Sequence, residues 1–193
     1  MTLLNHLRIL KWRLLGSKKP VNMFRKQQII TRLQKKTKIK VFIETGTFMG
    51  DMTVAQHKYF EKLFTIELGY DLYLKAQKRF EAFPNIKGLH GDSSKVMHKI
   101  IDEINEPAIF WLDGHYSGDI TAKGELECPL WGELDAIIKR KELNHILLID
   151  DARLFIGRND YPTNREVEEF LILNNIHYKM FTKDDIIHIY FMN

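Results

Sequence analysis

From residue 38 onward the chain alternates short apolar runs with longer amphipathic ones. The apolar runs are KVFIE (40–44), KLFTIE (62–67), IKGLH (86–90), AIFWLD (108–113) and HILLID (145–150). Short and rich in β-branched and aromatic residues, they predict strands buried on both faces of a parallel sheet. Amphipathic stretches near 51–60, 71–82, 94–104, 129–142 and 164–174 predict helices between and after them. Pro129 suits a first helical turn, where its missing N–H costs nothing, and Leu130, Leu134, Ile137 and Ile138 form the apolar face behind it. HYKMFT and IIHIYFM flank Lys183-Asp184-Asp185 as a terminal hairpin. The expected fold is α/β: a doubly wound, Rossmann-like sheet, mostly parallel, with a C-terminal antiparallel hairpin.

Ahead of this alternation, Leu3, Leu7, Leu10 and Leu14 recur at helical spacing until Gly16 and Pro20, and a second basic helix is expected over 22–36. The chain therefore divides into a basic helical extension, 1–37, and one domain, 38–193. Its 193 residues, 45% of them hydrophobic, suffice for one core. Residues 1–40 carry 12 Lys and Arg before the first acid, Glu44, whereas the other 17 basic residues face all 25 acids. Such a segment is either a solvated helical face with a tail or a patch drawn to anionic lipid, nucleic acid or polyanions. Residues 1–20 are the candidate contact with an anionic membrane surface.

Cys128 is the one cysteine, which excludes an internal disulfide and a four-thiolate zinc site. No apolar run approaches the roughly 18 residues of a membrane span. Arg8, Lys11 and Arg13 break LLNHLRILKWRLL, against a signal-peptide core. A reducing, cytoplasmic setting is expected, peripheral to a membrane if the basic arm binds lipid.

The first strand runs into FIETGTFMGD, where Glu44, Gly46 and Gly50 form an acid-x-Gly-x-x-x-Gly turn. Glycine permits close approach of a ligand to the main chain, and the following helix offers free N–H groups. The spacing is not the G-x-G-x-x-G of a pyrophosphate clamp. A carboxylate at Glu44 suits a cationic amino-acid moiety better. Glu67 ends the second strand 21 residues after Gly46, the distance at which an acid meets ribose hydroxyls, and Asp92 follows the third strand, either toward an adenine amino group or as a helix N-cap.

With these residues the sequence resembles the class I S-adenosylmethionine-dependent methyltransferases over roughly 38–193. The resemblance implies that Glu44, Thr45, Gly46 and Gly50 hold the methionine part of the cofactor, that Glu67 takes the ribose, and that Asp92 and Asp113 border the rest.

WLDGHYSG and LLIDDARLF end the fourth and fifth strands, so Asp113, Asp150 and Asp151 are expected to converge at the cofactor mouth. Clustered carboxylates repel unless a cation neutralises them, and an all-oxygen set suits Mg²⁺ or another hard divalent ion. This pattern resembles metal-dependent O-methyltransferases of the catechol and macrocin-type sugar families, which implies a metal on Asp113, Asp150 and Asp151. Macrocin-type enzymes often read Asp-Gly-Asp after the fourth strand; here it is Asp113-Gly114-His115. His115 is then a base, a metal ligand or a loop anchor. Further substrate contacts are expected from Tyr116, Lys123 and Glu125 in one loop and from Arg153, Arg158 and Tyr161 in another.

The resemblance implies methyl transfer to a hydroxyl of a sugar, glycan or small polyhydroxylated acceptor. The rivals are a nucleic-acid methyltransferase using the basic arm, a non-catalytic cofactor-binding module, and a nicotinamide dehydrogenase, against which the glycine spacing counts.

Overall fold

The computed structural model describes residues 21–114 and 128–192. A helix, α1 (Met23–Thr37), precedes four β-α repeats and a fifth strand: β1 (Val41–Thr45), α2 (Asp51–Gln56), β2 (Lys62–Glu67), α3 (Tyr70–Phe80), β3 (Ile86–His90), α4 (Ser93–Glu103), β4 (Ala108–Leu112), α5 (Leu130–Ile137) and β5 (Ile146–Ile149). After them come a two-stranded ribbon, β6 (Ile156–Arg158) and β7 (Tyr161–Thr163), then α6 (Asn164–Leu173), β8 (His177–Lys183) and β9 (Ile186–Met192). The main sheet runs β3-β2-β1-β4-β5-β9-β8. The first five strands are parallel, and β9 pairs antiparallel with both β5 and β8. This is the doubly wound sheet with a terminal hairpin that the alternation predicts.

Side chains of alternate strand positions enter two cores. Val41, Ile43, Phe110, Leu112, Leu147 and Ile149 meet Met97, Ile101, Leu134 and Leu171 of α4, α5 and α6 on one face. Phe42, Leu63, Ile109, Trp111 and Leu148 meet Ile30 of α1 and Met52 of α2 on the other. Ile30 is wholly buried, so α1 covers one side of the sheet as a working part of the core. Asn22 caps it, accepting from Arg25 N at 2.9 Å.

The structure differs locally from the sequence expectation. Pro129 stands at the N-cap, one residue ahead of the helix. The helix expected to reach 142 tightens into a 3₁₀ turn over Ile138–Leu143, with Arg140 out of helical geometry. The stretch 152–163, expected as a loop, contains the β6–β7 ribbon. Among the described residues no helix is long and apolar enough to cross a membrane. Residues 1–20 and the loop residues His115, Tyr116, Lys123 and Glu125 lie outside those described.

Candidate functional site

Among the described residues, Glu44, Gly46, Gly50, Glu67, Asp92, Asp113, Asp150 and Asp151 lie where β1–β5 end, the edge at which open α/β sheets bind ligands. The turn after β1 is built from two left-handed glycines, Gly46 (φ +80°) and Gly50 (φ +77°). Gly46 N and Thr47 N donate to Ile66 O at 3.0 and 3.2 Å, tying the turn to β2. Both glycines are already required by the protein itself. A Cβ on Gly46 would overlap the Asp113 carbonyl oxygen, and one on Gly50 would lie 2.7 Å from the Phe80 ring. Thr45 is buried, and its Oγ1 accepts from Asp113 N at 3.2 Å.

Glu44 sits between Thr65 and Trp111 in the sheet register. Its carboxylate is enclosed, accepting from the Thr65 hydroxyl at 2.7 Å and from the Thr53 hydroxyl. Burial pushes its pKa up to about 7 against the opposing pull of those two hydroxyls. Glu67, also buried, accepts from Phe48 N at 2.7 Å and Gly69 N at 2.9 Å, so each oxygen is held by one main-chain amide. Phe48, Met49 and Tyr70 are exposed, and Tyr70 meets His90 edge-on at 5.2 Å. Asp92 is the N-cap of α4, accepting from Ser94 N at 2.9 Å and Ser94 Oγ at 2.7 Å.

A second polar group spans the ends of β4 and β5 on the α1 face. Asp113 continues the alternation of Ile109 and Trp111, and Asp150 that of Ile146 and Leu148, so both point toward α1. From α1, Lys26 lays its ammonium 5.7 Å from the Trp111 ring centre and donates to Asp150 Oδ2. Burial disfavours the charge on Lys26, yet Asp150, Asp113 and Asp151 outweigh it and raise its pKa. Burial, with Asp113 beside it, pushes Asp150 upward against the pull of Lys26. Asp150 Oδ1 is buried without a hydrogen-bond partner. Asp151, in left-handed geometry (φ +54°), accepts from Arg153 Nη1 at 2.6 Å.

The Mg²⁺ centre expected on Asp113, Asp150 and Asp151 does not fit this arrangement. Among the described residues no three His, Cys, Asp or Glu side chains are grouped to hold a metal ion. One Asp150 oxygen is taken by Lys26, and Asp151 is bound to Arg153. The cation that pairs with Asp150 is the Lys26 ammonium.

Two further assignments change. Arg153, expected at an acceptor, is an internal tie between Asp151 and Asp185. Tyr161 is buried edge-on against Phe155 at 5.7 Å. Arg158 stays exposed on β6.

Sequence reasoning missed Lys26, which looks like any other residue of a basic run. The available signal was its i, i+4 relation to the apolar Ile30, which puts both on the inward face. It also missed Glu133, buried on the opposite face of the sheet and accepting from Ser93 Oγ at 2.6 Å. Gly114 fits among Glu133, Thr45 and Ser93, whose oxygens would each lie 3.1–3.2 Å from an added Cβ. A small cleft opens there, lined by Leu112, Gly114, Cys128, Glu133, Ile149 and Phe155.

No family model matches the chain, and no curated protein matches it in sequence. Solved structures do match its fold. The Podospora anserina methyltransferase PaMTH1, bound to SAH, superposes with a TM-score of 0.64 at 13% identity, covering 96% of this chain and 88% of that one. The O-methyltransferase from Bacillus cereus in complex with SAH gives 0.63 at 12% identity, covering 100% and 92%. The 23S rRNA methyltransferase ErmE gives 0.54 at 11% identity, covering 90% and 70%. The fold is that of S-adenosylmethionine-dependent methyltransferases.

Proposed function

We propose that the protein is an S-adenosylmethionine-dependent methyltransferase that methylates a hydroxyl oxygen of a sugar, glycan or other polyhydroxylated acceptor. The observation that carries this is Glu67. Two main-chain amides orient its carboxylate beside the glycine turn, and the side chains of Phe48 and Tyr70, in and next to the segments that supply those amides, are exposed. A fixed acid suits a nucleoside, because a carboxylate holding one amide on each oxygen keeps lone pairs for two ribose hydroxyls. The donor set thus fits the cofactor: Glu67 for the ribose, residues 45–50 for the amino-acid part, and the Asp92 region for the base. When bound, the cofactor supplies an electrophilic methyl group on a sulfonium sulfur.

The chain's own contribution is to orient the acceptor and accept its proton. Asp113 and His115, two residues apart after β4, are the residues we assign to that proton. Asp113 is anchored through its N–H to Thr45, which couples the acceptor side to the glycine turn. Mg²⁺ plays no part in this scheme, since Lys26 already supplies positive charge to the aspartates.

The test is calorimetry with S-adenosylmethionine and its demethylated product, followed by transfer of labelled methyl to a panel of polyhydroxylated acceptors. Binding of neither nucleoside overturns the proposal. RNA methylation is the second reading, favoured by the basic N-terminal segment and the ErmE-like fold. Labelled RNA with unlabelled polyols would establish it instead. Attachment of residues 1–20 to anionic lipid is a separate proposal from their charge; equal sedimentation of full-length and truncated protein with anionic vesicles overturns it.

A further inference from the structure

We infer that Lys26 is the resident cation of the aspartate cluster, a positioning residue that takes the place of a divalent metal and keeps such ions out. The inference rests on the proposed function only in calling this cluster the acceptor side. Its physical basis is independent. The ammonium comes from a helix that cannot easily withdraw it: Arg25 next to it pairs with Asp184 at 2.8 Å, and Ile30 one turn on is wholly buried. Gln56 Nε2 further ties α2 to α1 through Gln27 O at 3.1 Å. Lys26 itself is nearly buried between Asp150 and the Trp111 ring, so its charge acts with little solvent screening.

Lys26 occupies Asp150 Oδ2, so a divalent ion at that oxygen would have to displace the ammonium. Without the ammonium, Asp150 would present two buried oxygens with Asp113 alongside, a hard oxygen donor set of the kind that Mg²⁺ and Mn²⁺ accept. Lys26 is therefore the side chain whose removal would open Asp150 to a divalent ion.

The experiment is a Mn²⁺ titration of the full chain, read as loss of the free-ion paramagnetic signal, with no cofactor or acceptor present. Wild type is expected to show no saturable binding. Lys26→Met is expected to bind one ion with Kd on the order of 10⁻⁴ M, and adding Asp150→Asn should abolish that binding. Circular dichroism checks that each variant is folded. Stoichiometric binding by wild type that is lost in Asp150→Asn overturns the inference, as does a folded Lys26→Met that binds no Mn²⁺. Should Lys26→Met not fold, the wild-type titration and Lys26→Gln decide between the same outcomes. Because methyl transfer is not measured, the result stands apart from success or failure of the proposed function.

Discussion

The carbonyl oxygen of Asp113 occupies the space in which a side chain on Gly46 would begin. The turn after β1 and the end of β4 are thereby packed main chain against main chain, with Asp113 C 2.8 Å and Gly114 Cα 3.3 Å from an added Cβ. Gly46→Ala should consequently destabilise the whole fold, by at least about 2 kcal/mol, since a left-handed φ and a backbone overlap both oppose it. Thermal unfolding with no cofactor present checks this. An unchanged Tm would mean that the two loops can part without cost.

Cofactor affinity is better probed at Glu67. Glu67→Gln keeps one oxygen acceptor for Phe48 N or Gly69 N and loses the charge. Affinity for S-adenosylmethionine should fall at least about tenfold, as expected for a lost charge-assisted hydrogen bond, while the far-ultraviolet circular dichroism is kept. Calorimetry on the two proteins gives the comparison.

Glu44 sets a pH dependence of stability. Its pKa rises from 4.5 to about 7 on folding, so between those values the native state binds more protons than the unfolded one. Its contribution is full below about pH 4.5 and is lost as pH rises through 7. The loss is bounded by about 3 kcal/mol. Glu44→Gln, whose amide oxygen still accepts from Thr53 and Thr65, should remove it. The stability of the variant relative to wild type should therefore increase from pH 5 to pH 8 in urea denaturation. His145 works in the opposite sense: burial lowers its pKa to about 4, so its contribution is lost as pH falls below 6.5. The difference between the two proteins cancels that background.

The turn of the β8–β9 hairpin holds the segment after β5. Asp185 Oδ1 accepts from Arg153 N at 3.0 Å, its other oxygen pairs with the Arg153 guanidinium, and its carbonyl accepts from Ala152 N at 2.9 Å. Asp185→Ala removes both side-chain bonds and places alanine at φ +59°. A loss of roughly 2 kcal/mol is expected. Limited proteolysis should show cleavage within 152–163 appearing before global unfolding.

Cys128 is buried, and burial pushes its thiol up to about 12. At pH 8 the folded protein should react with a disulfide reagent orders of magnitude more slowly than the denatured chain. Rapid stoichiometric labelling of native protein would show that the cleft beside Glu133 admits the reagent.

The sequence by itself determined the sheet. Strand runs such as AIFWL and ILLI are apolar at every position because both faces are covered, and that local signal needs no tertiary knowledge. The same alternation brought Glu44, Glu67, Asp113 and Asp150 to one edge, since each ends or follows a parallel strand. For Asp92 the sequence left an adenine contact and a helix N-cap both open, and its side chain caps α4. Only the tertiary structure decided what those acids face. Lys26 and Asp150 are 124 residues apart and meet because α1 packs across Trp111, a contact set by the burial of Ile30 rather than by charge. Ser93 and Glu133 likewise meet through the packing of α4 on α5. Charge is a long-range, non-directional property of a sequence, and any of the basic residues ahead of Glu44 is equivalent in a count. Which one is buried, and so becomes a cation of the site, depends on helix register against a finished sheet.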